Sequence, residues 1–165
     1  MAAAQLPGAP VVSAAVVEEL LAGVVDPEIP VLTIADLGMM RGVSIDDTGA
    51  VTVTVTPTYS GCPALGVITE DITRVLAAAG YDRVVVDVVF SPAWTTDWMS
   101  DDAKRKLDAY GIAPPGRVGS DHDPVLCPRC SSPETRVVST FGSTACKALA
   151  VCRACGEPFD HFKAI

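Results

Sequence analysis

Apolar residues recur along this chain with two different periods, and the switches between them mark out its elements. Val16, Val17, Leu20, Leu21 and Val24 repeat at helical spacing behind Ser13, whose short hydroxyl suits a helix N-cap. From Met40 the period shortens. Met40 to Ile45 and Val51 to Thr56 flank the turn Asp46-Asp47-Thr48-Gly49, and the second run alternates Val and Thr without a break. This predicts a β-hairpin with Val51, Val53 and Val55 turned to the core. After Pro63 the spacing is helical again through Leu65, Ile68, Ile72, Val75, Leu76 and Ala79, and Gly80 stands where a C-cap glycine would. Val84 to Phe90 reads as a valine-rich strand, and Asp97 to Tyr110, closed by Gly111, as a third helix. The order α-β-β-α-β-α predicts an α+β fold, a small sheet covered by helices.

Beyond Gly111 the pattern is lost. Gly111 to Pro124 concentrates Pro, Gly and Asp without an apolar period, which reads as a linker at 112–124 between a domain at 13–111 and a second module at 125–165. The Ala- and Pro-rich residues 1–12 read as a flexible N-terminus. In the second module, Cys127-Pro-Arg-Cys130 and Cys152-Arg-Ala-Cys155 are two CxxC knuckles with 21 residues between them. Each bends the backbone so that two thiols face one point, and Thr135 to Ser139 and Ala148 to Val151 have the β-propensity of the hairpin that would bring the knuckles together. Four thiolates around Zn²⁺ leave no position for water or substrate, so Cys127, Cys130, Cys152 and Cys155 are expected to form a structural zinc ribbon. The same four sulfurs also suit an iron-sulfur cluster or a redox pair. Arg129 and Arg153, inside the knuckles, would offset the negative charge of such a centre. Cys146 lies outside both knuckles and reads either as a small buried hydrophobe or as a spare ligand or reactive thiol.

Composition narrows the function classes. The 165 residues suffice for one domain plus a small module, and 49 % hydrophobic residues with only 5 % aromatics call for a core of Val, Leu, Ile and Ala. Net charge is -8 overall, divided into -10 over residues 1–124 and +2 over 125–165. That balance opposes non-specific attraction to nucleic acid or anionic membrane, and the ribbon carries no Lys/Arg run with interleaved aromatics. The charge-free run from Ala50 to Thr69 is interrupted by two Pro and two Gly, so no membrane segment is expected. The opening MAAAQLPGAP lacks a basic n-region, which points to the cytoplasm, where six cysteines fit metal better than disulfides.

Thr58-Tyr-Ser-Gly-Cys62-Pro63 joins the Val/Thr strand to the second helix, with Pro63 suited to the first helical position and Cys62 to the N-cap. A thiol there faces unpaired N–H groups and the positive end of the helix dipole, so Cys62 is expected to favour the thiolate and to be nucleophilic or metal-binding. An inert buried cap is the alternative. His122 and His161, the two histidines of the chain, stand far from Cys62 in sequence, which leaves a Cys-His hydrolase poorly supported. Asp26-Pro-Glu28 reads as a turn ending the first helix, and its carboxylates, with Asp36, could also meet iron transiently beside the cap thiol. Trp94 and Trp98, around a helix start, read as core or as a partner surface.

Asp26-Pro-Glu28-Ile-Pro30 and Pro57-Thr-Tyr-Ser-Gly-Cys-Pro63 resemble the MIP18 (DUF59) family of iron-sulfur assembly factors. Pro92-Ala-Trp-Thr-Thr-Asp-Trp-Met99, Tyr110-Gly-Ile-Ala-Pro-Pro115, Phe141-Gly-Ser-Thr-Ala-Cys-Lys147 and Glu157-Pro-Phe159 narrow the resemblance to the phenylacetate-degradation branch, in which a MIP18 domain is joined to a C-terminal zinc ribbon. The resemblance covers the chain from about residue 13 to its end. It implies an accessory protein and not an enzyme: the chemistry of the phenylacetyl-CoA epoxidase system belongs to a di-iron oxygenase and a reductase, and the accessory protein helps mature an iron or iron-sulfur centre. Implied partners are the oxygenase and reductase subunits, with a homodimer as a further association. The implied transient iron or iron-sulfur site is Cys62 with Asp26 and Glu28. A non-catalytic scaffold for the oxygenase complex is the alternative role. No phosphate loop and no flavin or nicotinamide fingerprint accompanies these motifs.

Overall fold

In the computed structural model, which describes residues 13–119 and 124–165, the alternation of Val and Thr lies at the centre of the first region. The stretch 1–12, expected to be flexible, and linker residues 120–123, with His122, lie outside the described residues. Strands β3 (Met40–Ile45) and β4 (Val51–Val55) pair antiparallel with Val43 opposite Val53 and Ile45 opposite Val51. Val51, Val53 and Val55 are fully buried, as their period requires. The connecting turn closes where Asp46 Oδ1 accepts the N–H groups of Thr48 and Ala50 at 2.8 and 3.0 Å. Helix α2 (Ala64–Ala78) then crosses over to β5 (Val84–Val88), which pairs parallel to β4 and completes the order β3-β4-β5. Its buried stripe, Ala64, Ile68, Ile72 and Leu76, covers this sheet.

Helix α1 (Ala14–Leu21) is capped by Ser13 Oγ, which accepts the Val16 N–H at 3.3 Å. Val24, read as a continuation of that helix, is instead buried in the turn that enters a small antiparallel pair, β1 (Val25–Asp26) and β2 (Ile29–Thr33). Pro27 and Pro30 interrupt the strand pattern there, which is why the pair is not legible as strands. The third helix also starts later than the periodicity suggests. A 3₁₀ turn at Thr96–Trp98 precedes α3 (Asp101–Tyr110), because the Ser100 hydroxyl accepts the Ala103 N–H at 3.0 Å and fixes the start.

The remaining strands form a four-stranded sheet in the order β6-β9-β8-β7: β6 (Ile112–Ala113), β7 (Thr135–Ser139), β8 (Lys147–Cys152) and β9 (Pro158–Phe162). The hairpin β7-β8 follows the sequence expectation, while β6 and β9 do not appear in it. The first residues of the segment read as a linker thus form β6, pairing parallel with β9 through Ile112 opposite Asp160. This ties the ribbon sheet directly to the end of α3.

The tie continues into the core. Phe162 of β9, fully buried, and Cys146, 4 % exposed, belong to the same apolar cluster as Leu21, Ile68 and Leu107. Trp94 is buried against Phe162 with ring centroids 6.1 Å apart, and its indole N–H donates to the Leu37 carbonyl at 2.8 Å. The Ile165 carbonyl accepts from the Thr96 N–H at 2.8 Å and the Thr95 hydroxyl at 2.7 Å. Trp98 lies under the Arg41 guanidinium, 3.7 Å from its ring centroid. Gly38 makes room for this corner: at φ 66° a Cβ would lie 2.6 Å from the Trp98 carbonyl oxygen.

Candidate functional site

Two groups of chemistry-bearing residues are built by these elements. The first is the ribbon's four cysteines, whose sulfurs all lie within 4.8 Å of one another. The two knuckles are near-copies. Ser131 N–H bonds to the Cys127 carbonyl at 2.8 Å and Gly156 N–H to the Cys152 carbonyl at 2.9 Å, and the chain enters left-handed backbone at Ser131 and Gly156, just after each second cysteine. Cys127 Sγ is 3.8 Å from Cys155 Sγ, and Cys130 Sγ is 3.6 Å from Cys152 Sγ. A tetrahedron with metal–sulfur bonds of about 2.3 Å has edges of about 3.8 Å, so the four sulfurs fit a thiolate metal centre. Among them, Cys152 is brought down to about 7 by the N–H of Cys155, helped by the N–H of Ala154, which prepares one ligand in its charged form. Arg129 pairs with Glu157 at 2.7 Å beside the first knuckle.

The second group gathers at the mouth of β1-β2 and the start of α2. Asp26 is 4 % exposed, and its Oδ1 accepts the N–H groups of Glu28 at 2.7 Å and Ile29 at 3.0 Å, closing the turn between β1 and β2. Burial raises its carboxyl above the usual range, against the Glu28 and Ile29 N–H groups and the Lys147 ammonium. Glu28 is raised by burial and then by the Asp26 charge, with Lys147 opposing. Cys62 sits one residue before Pro63, which already has helical dihedrals; the Cys62 carbonyl accepts the Leu65 N–H at 3.3 Å.

The expectation of a favoured thiolate at Cys62 is corrected here. Burial pushes its thiol up, and the Glu28 and Asp26 charges push it further, while the Ala64 N–H and the Thr58 hydroxyl pull the other way. The helix N-terminus does act on the sulfur, through Ala64, but Cys62 is only 9 % exposed and desolvation wins. The resting group is therefore a neutral thiol held near two carboxyls.

The charges of Asp26 and Glu28 thus act on Cys62, and the three are called the Cys62 niche, whereas Asp36 does not join them. Both oxygens of Asp36 hold Lys106 of α3, at 3.0 and 2.9 Å, and Oδ2 accepts the Thr33 N–H, so it braces β2 against α3. Three further residues reach the niche that the sequence reading did not place there. Tyr59 is raised by burial and by the charges of Cys62, Glu28, Cys146 and Asp26, and the Lys147 ammonium acts to lower Asp26, Glu28 and Cys146. Cys146 is buried, pushed up by desolvation, and its sulfur lies 3.0 Å from the Thr144 hydroxyl. The available signal was a motif, Phe141 to Lys147, standing outside both knuckles. Among the described residues, the four ribbon cysteines alone have their ligand atoms mutually within 4.8 Å, so the niche is not a ready-made cage for one ion.

No helix among the described residues is long and apolar enough to cross a membrane. Residues 14–89 match the family model described as iron-sulfur cluster assembly protein, and residues 112–163 that described as PaaD zinc beta ribbon domain. The chain is 52 % identical over 149 residues to an Escherichia coli protein named as the D component of a "Putative 1,2-phenylacetyl-CoA epoxidase", covering 88 % of this chain and 90 % of that one. It is 42 % identical over 89 residues to a Porphyromonas gingivalis protein named "Fe-S protein maturation auxiliary factor", covering 53 % of this chain and 84 % of the relative. Among solved structures, a DUF59 domain from Bacillus anthracis superposes with TM-score 0.53 at 33 % identity, over 56 % of this chain and 89 % of that one. By its length of match and its two modules, the chain belongs to the family of phenylacetyl-CoA epoxidase D components, an iron-sulfur cluster assembly domain followed by a PaaD zinc beta ribbon.

Proposed function

We propose that this chain is a non-catalytic accessory factor that delivers iron, as ion or cluster, to the oxygenase or reductase of a phenylacetyl-CoA epoxidase system. The observation that supports this reading is that the charges of Asp26 and Glu28, from a separate segment, act on the buried Cys62 thiol, with burial raising all three groups. A thiol stored neutral gives up its proton when iron arrives, and the carboxyls add oxygen donors that hold a cation loosely. Binding then repays the desolvation that raises all three groups, and the cargo leaves readily when a partner offers more sulfur. Lys147 limits the negative charge that accumulates. In the ribbon, Cys127, Cys130, Cys152 and Cys155 would hold Zn²⁺ as a structural ion, supplying folding free energy and no open coordination position.

The test is the iron content of the oxygenase and of the reductase in cells carrying Cys62→Ser. Delivery through Cys62 predicts that one client is present in normal amount but short of iron, and that epoxidation falls with it. A full iron load and normal activity would leave a scaffold role in its place, in which disrupting the surface around Trp98 dissociates the complex while the thiol change is harmless.

A further inference from the structure

Between the end of the assembly domain and the ribbon lies a cavity of about 480 Å³, inside the range of roughly 300–1,000 Å³ that small-molecule sites occupy. Helix α3 lines it with Lys104, Arg105 and Asp108, and β9 with His161. Pro114 and Pro115, after β6, and Val125 and Leu126, just before the first knuckle, add apolar surface. The fold holds these walls in place. His161 is paired with Ala113 on one side of β9 and with Ala148 on the other, and the Thr135 hydroxyl donates to the Val125 carbonyl at 2.6 Å.

Much of this lining has no partner within the protein. Leu126 is 50 % exposed, although the next residue, Cys127, is buried. The half-buried ring of His161 bonds through neither nitrogen to a described residue; since the Thr56 hydroxyl is the one buried side-chain polar atom left unpartnered among the described residues, the ring nitrogens reach open space. Lys104 is half-buried, and no described carboxylate pairs with its ammonium, whereas its neighbours Arg105 and Lys106 are held by Asp102 and Asp36. The local charge is also inverted. In a chain of net charge -8, Lys104, Arg105 and Arg117 line the cavity against Asp108 alone among the described carboxylates.

We propose that this cavity binds a small organic anion with an apolar body, its charge meeting the Lys104 ammonium and the His161 ring and its body lying on Pro114, Pro115, Val125 and Leu126. An inorganic ion would leave the apolar walls wet, and an uncharged apolar molecule would desolvate Lys104 without giving it a partner. The site contains none of Asp26, Glu28 and Cys62, so it stands whether or not iron is delivered through them. Because its walls come from both modules, the anion binds only while the ribbon is docked on α3, and by mass action it stabilises that docking.

The test uses the zinc-loaded full chain and three probes: anilinonaphthalene sulfonate, which has an aromatic body and an anion; phenylnaphthylamine, the same body without the sulfonate; and inorganic sulfate, the anion alone. By fluorescence the sulfonate should bind saturably, one per chain and roughly tenfold more tightly than the amine, and sulfate at equal concentration should not displace it. Lys104→Gln should weaken the sulfonate roughly tenfold and leave the amine unchanged, whereas Leu126→Ser should weaken both alike. At saturation the sulfonate should slow hydrogen exchange at Ile112 and Ala113, where β6 ties the ribbon to α3. Equal affinity for sulfonate and amine overturns the proposal, as does unchanged sulfonate binding in Lys104→Gln. Unchanged binding of both probes in Leu126→Ser puts them elsewhere and overturns it too. An unaltered zinc content shows that a variant is folded; should either variant fail that check, exchange at Ile112 and Ala113 in the wild type decides, and no slowing there overturns the proposal.

Discussion

The assembly domain and the ribbon are ordered by different forces. In the domain, Leu21, Leu32, Ile34, Leu37, Ile68, Ile72, Leu76 and Leu107 are all fully buried in one cluster, and each such side chain contributes about 1.5–3 kcal/mol relative to exposure. The ribbon's own cluster is Ala113, Cys127, Ala150, Cys152 and Phe159, of which two are candidate ligands and two are alanines. Burial of that size cannot order forty residues against their conformational entropy, whereas a structural zinc contributes about 10–16 kcal/mol of apparent binding free energy. One region is thus built around an apolar centre and the other around four sulfurs. Phe162 and Cys146 cross the division: they belong to the ribbon by sequence and to the domain by packing.

The largest effect that would break this contrast is metal removal. Chelation, or Cys127→Ser, should abolish hydrogen-exchange protection through β7 and the outer part of β8, while α2 stays protected by Ile68, Ile72 and Leu76. A metal-free ribbon with native protection would mean that the sulfurs do not hold it together.

Next comes a pair of truncations in the same strand. Phe162→Ala empties a fully buried site in the domain's core and should cost about 3–5 kcal/mol of global stability, lowering the thermal midpoint of the whole protein. Phe159→Ala, three residues earlier in β9 but in the ribbon's small cluster, should lower zinc retention more than domain stability. If both variants acted on the domain alike, the boundary drawn by the two clusters would be wrong.

The contrast also explains how much could be read from the sequence. Elements with uninterrupted periods, α2 and the Val/Thr strand β4, were legible because their burial follows their spacing residue by residue. The pair β1-β2 was not, since two prolines mask a strand that pairs over few residues. Strand β9 was hidden for another reason: half-buried Asp160 and His161 break the apolar alternation between Phe159 and Phe162, and it is pairing with β6 and β8 on either side that makes the segment a strand. The grouping of the ribbon cysteines followed from spacing alone, and Asp26, Glu28 and Cys62 are candidates that motif singles out. The thiol's protonation did not follow from sequence, because a helix N-terminus is visible there and the depth of burial that outweighs it is not. Cys146 joins the domain's core, and the Lys147 charge acts on Asp26 and Glu28, only through the tertiary fold, which no local pattern encodes.

A third, smaller effect sharpens the boundary at the thiols themselves. Both Cys62 and Cys146 are pushed above the ordinary value of 9.0 by desolvation. Without iron, each should label several-fold more slowly than a free thiol at neutral pH, with rates still climbing past pH 9, because the thiolate is the reactive form. Rapid labelling of Cys62 at neutral pH would restore the helix N-terminus as the dominant influence and place Cys62 outside the buried niche.

The smallest expected effect sets the two regions against each other by pH. His161 in β9 is lowered from its ordinary 6.5 by burial alone, so its neutral form stabilises the fold above that value, and the contribution is lost as pH falls through the lowered one. Its ring also lines a cavity of about 480 Å³ with Lys104, Pro114 and Leu126, which gives protons a route to it. Asp26 and Glu28 have the opposite sign: their raised carboxyls stabilise the fold when protonated, fully so below the ordinary 3.8 and 4.5, and this is lost as pH rises through the folded values. On acidification from neutral pH the ribbon around β9 should therefore loosen while the turn between β1 and β2 tightens. Hydrogen exchange at saturating zinc measures both at once, and saturation keeps thiol protonation from releasing the ion and imitating the result. In His161→Gln the acid loosening of β9 should shrink while the tightening at Ile29 remains. Loosening of equal size in wild type and variant would show that the ribbon's acid sensitivity belongs to its sulfurs and not to this ring.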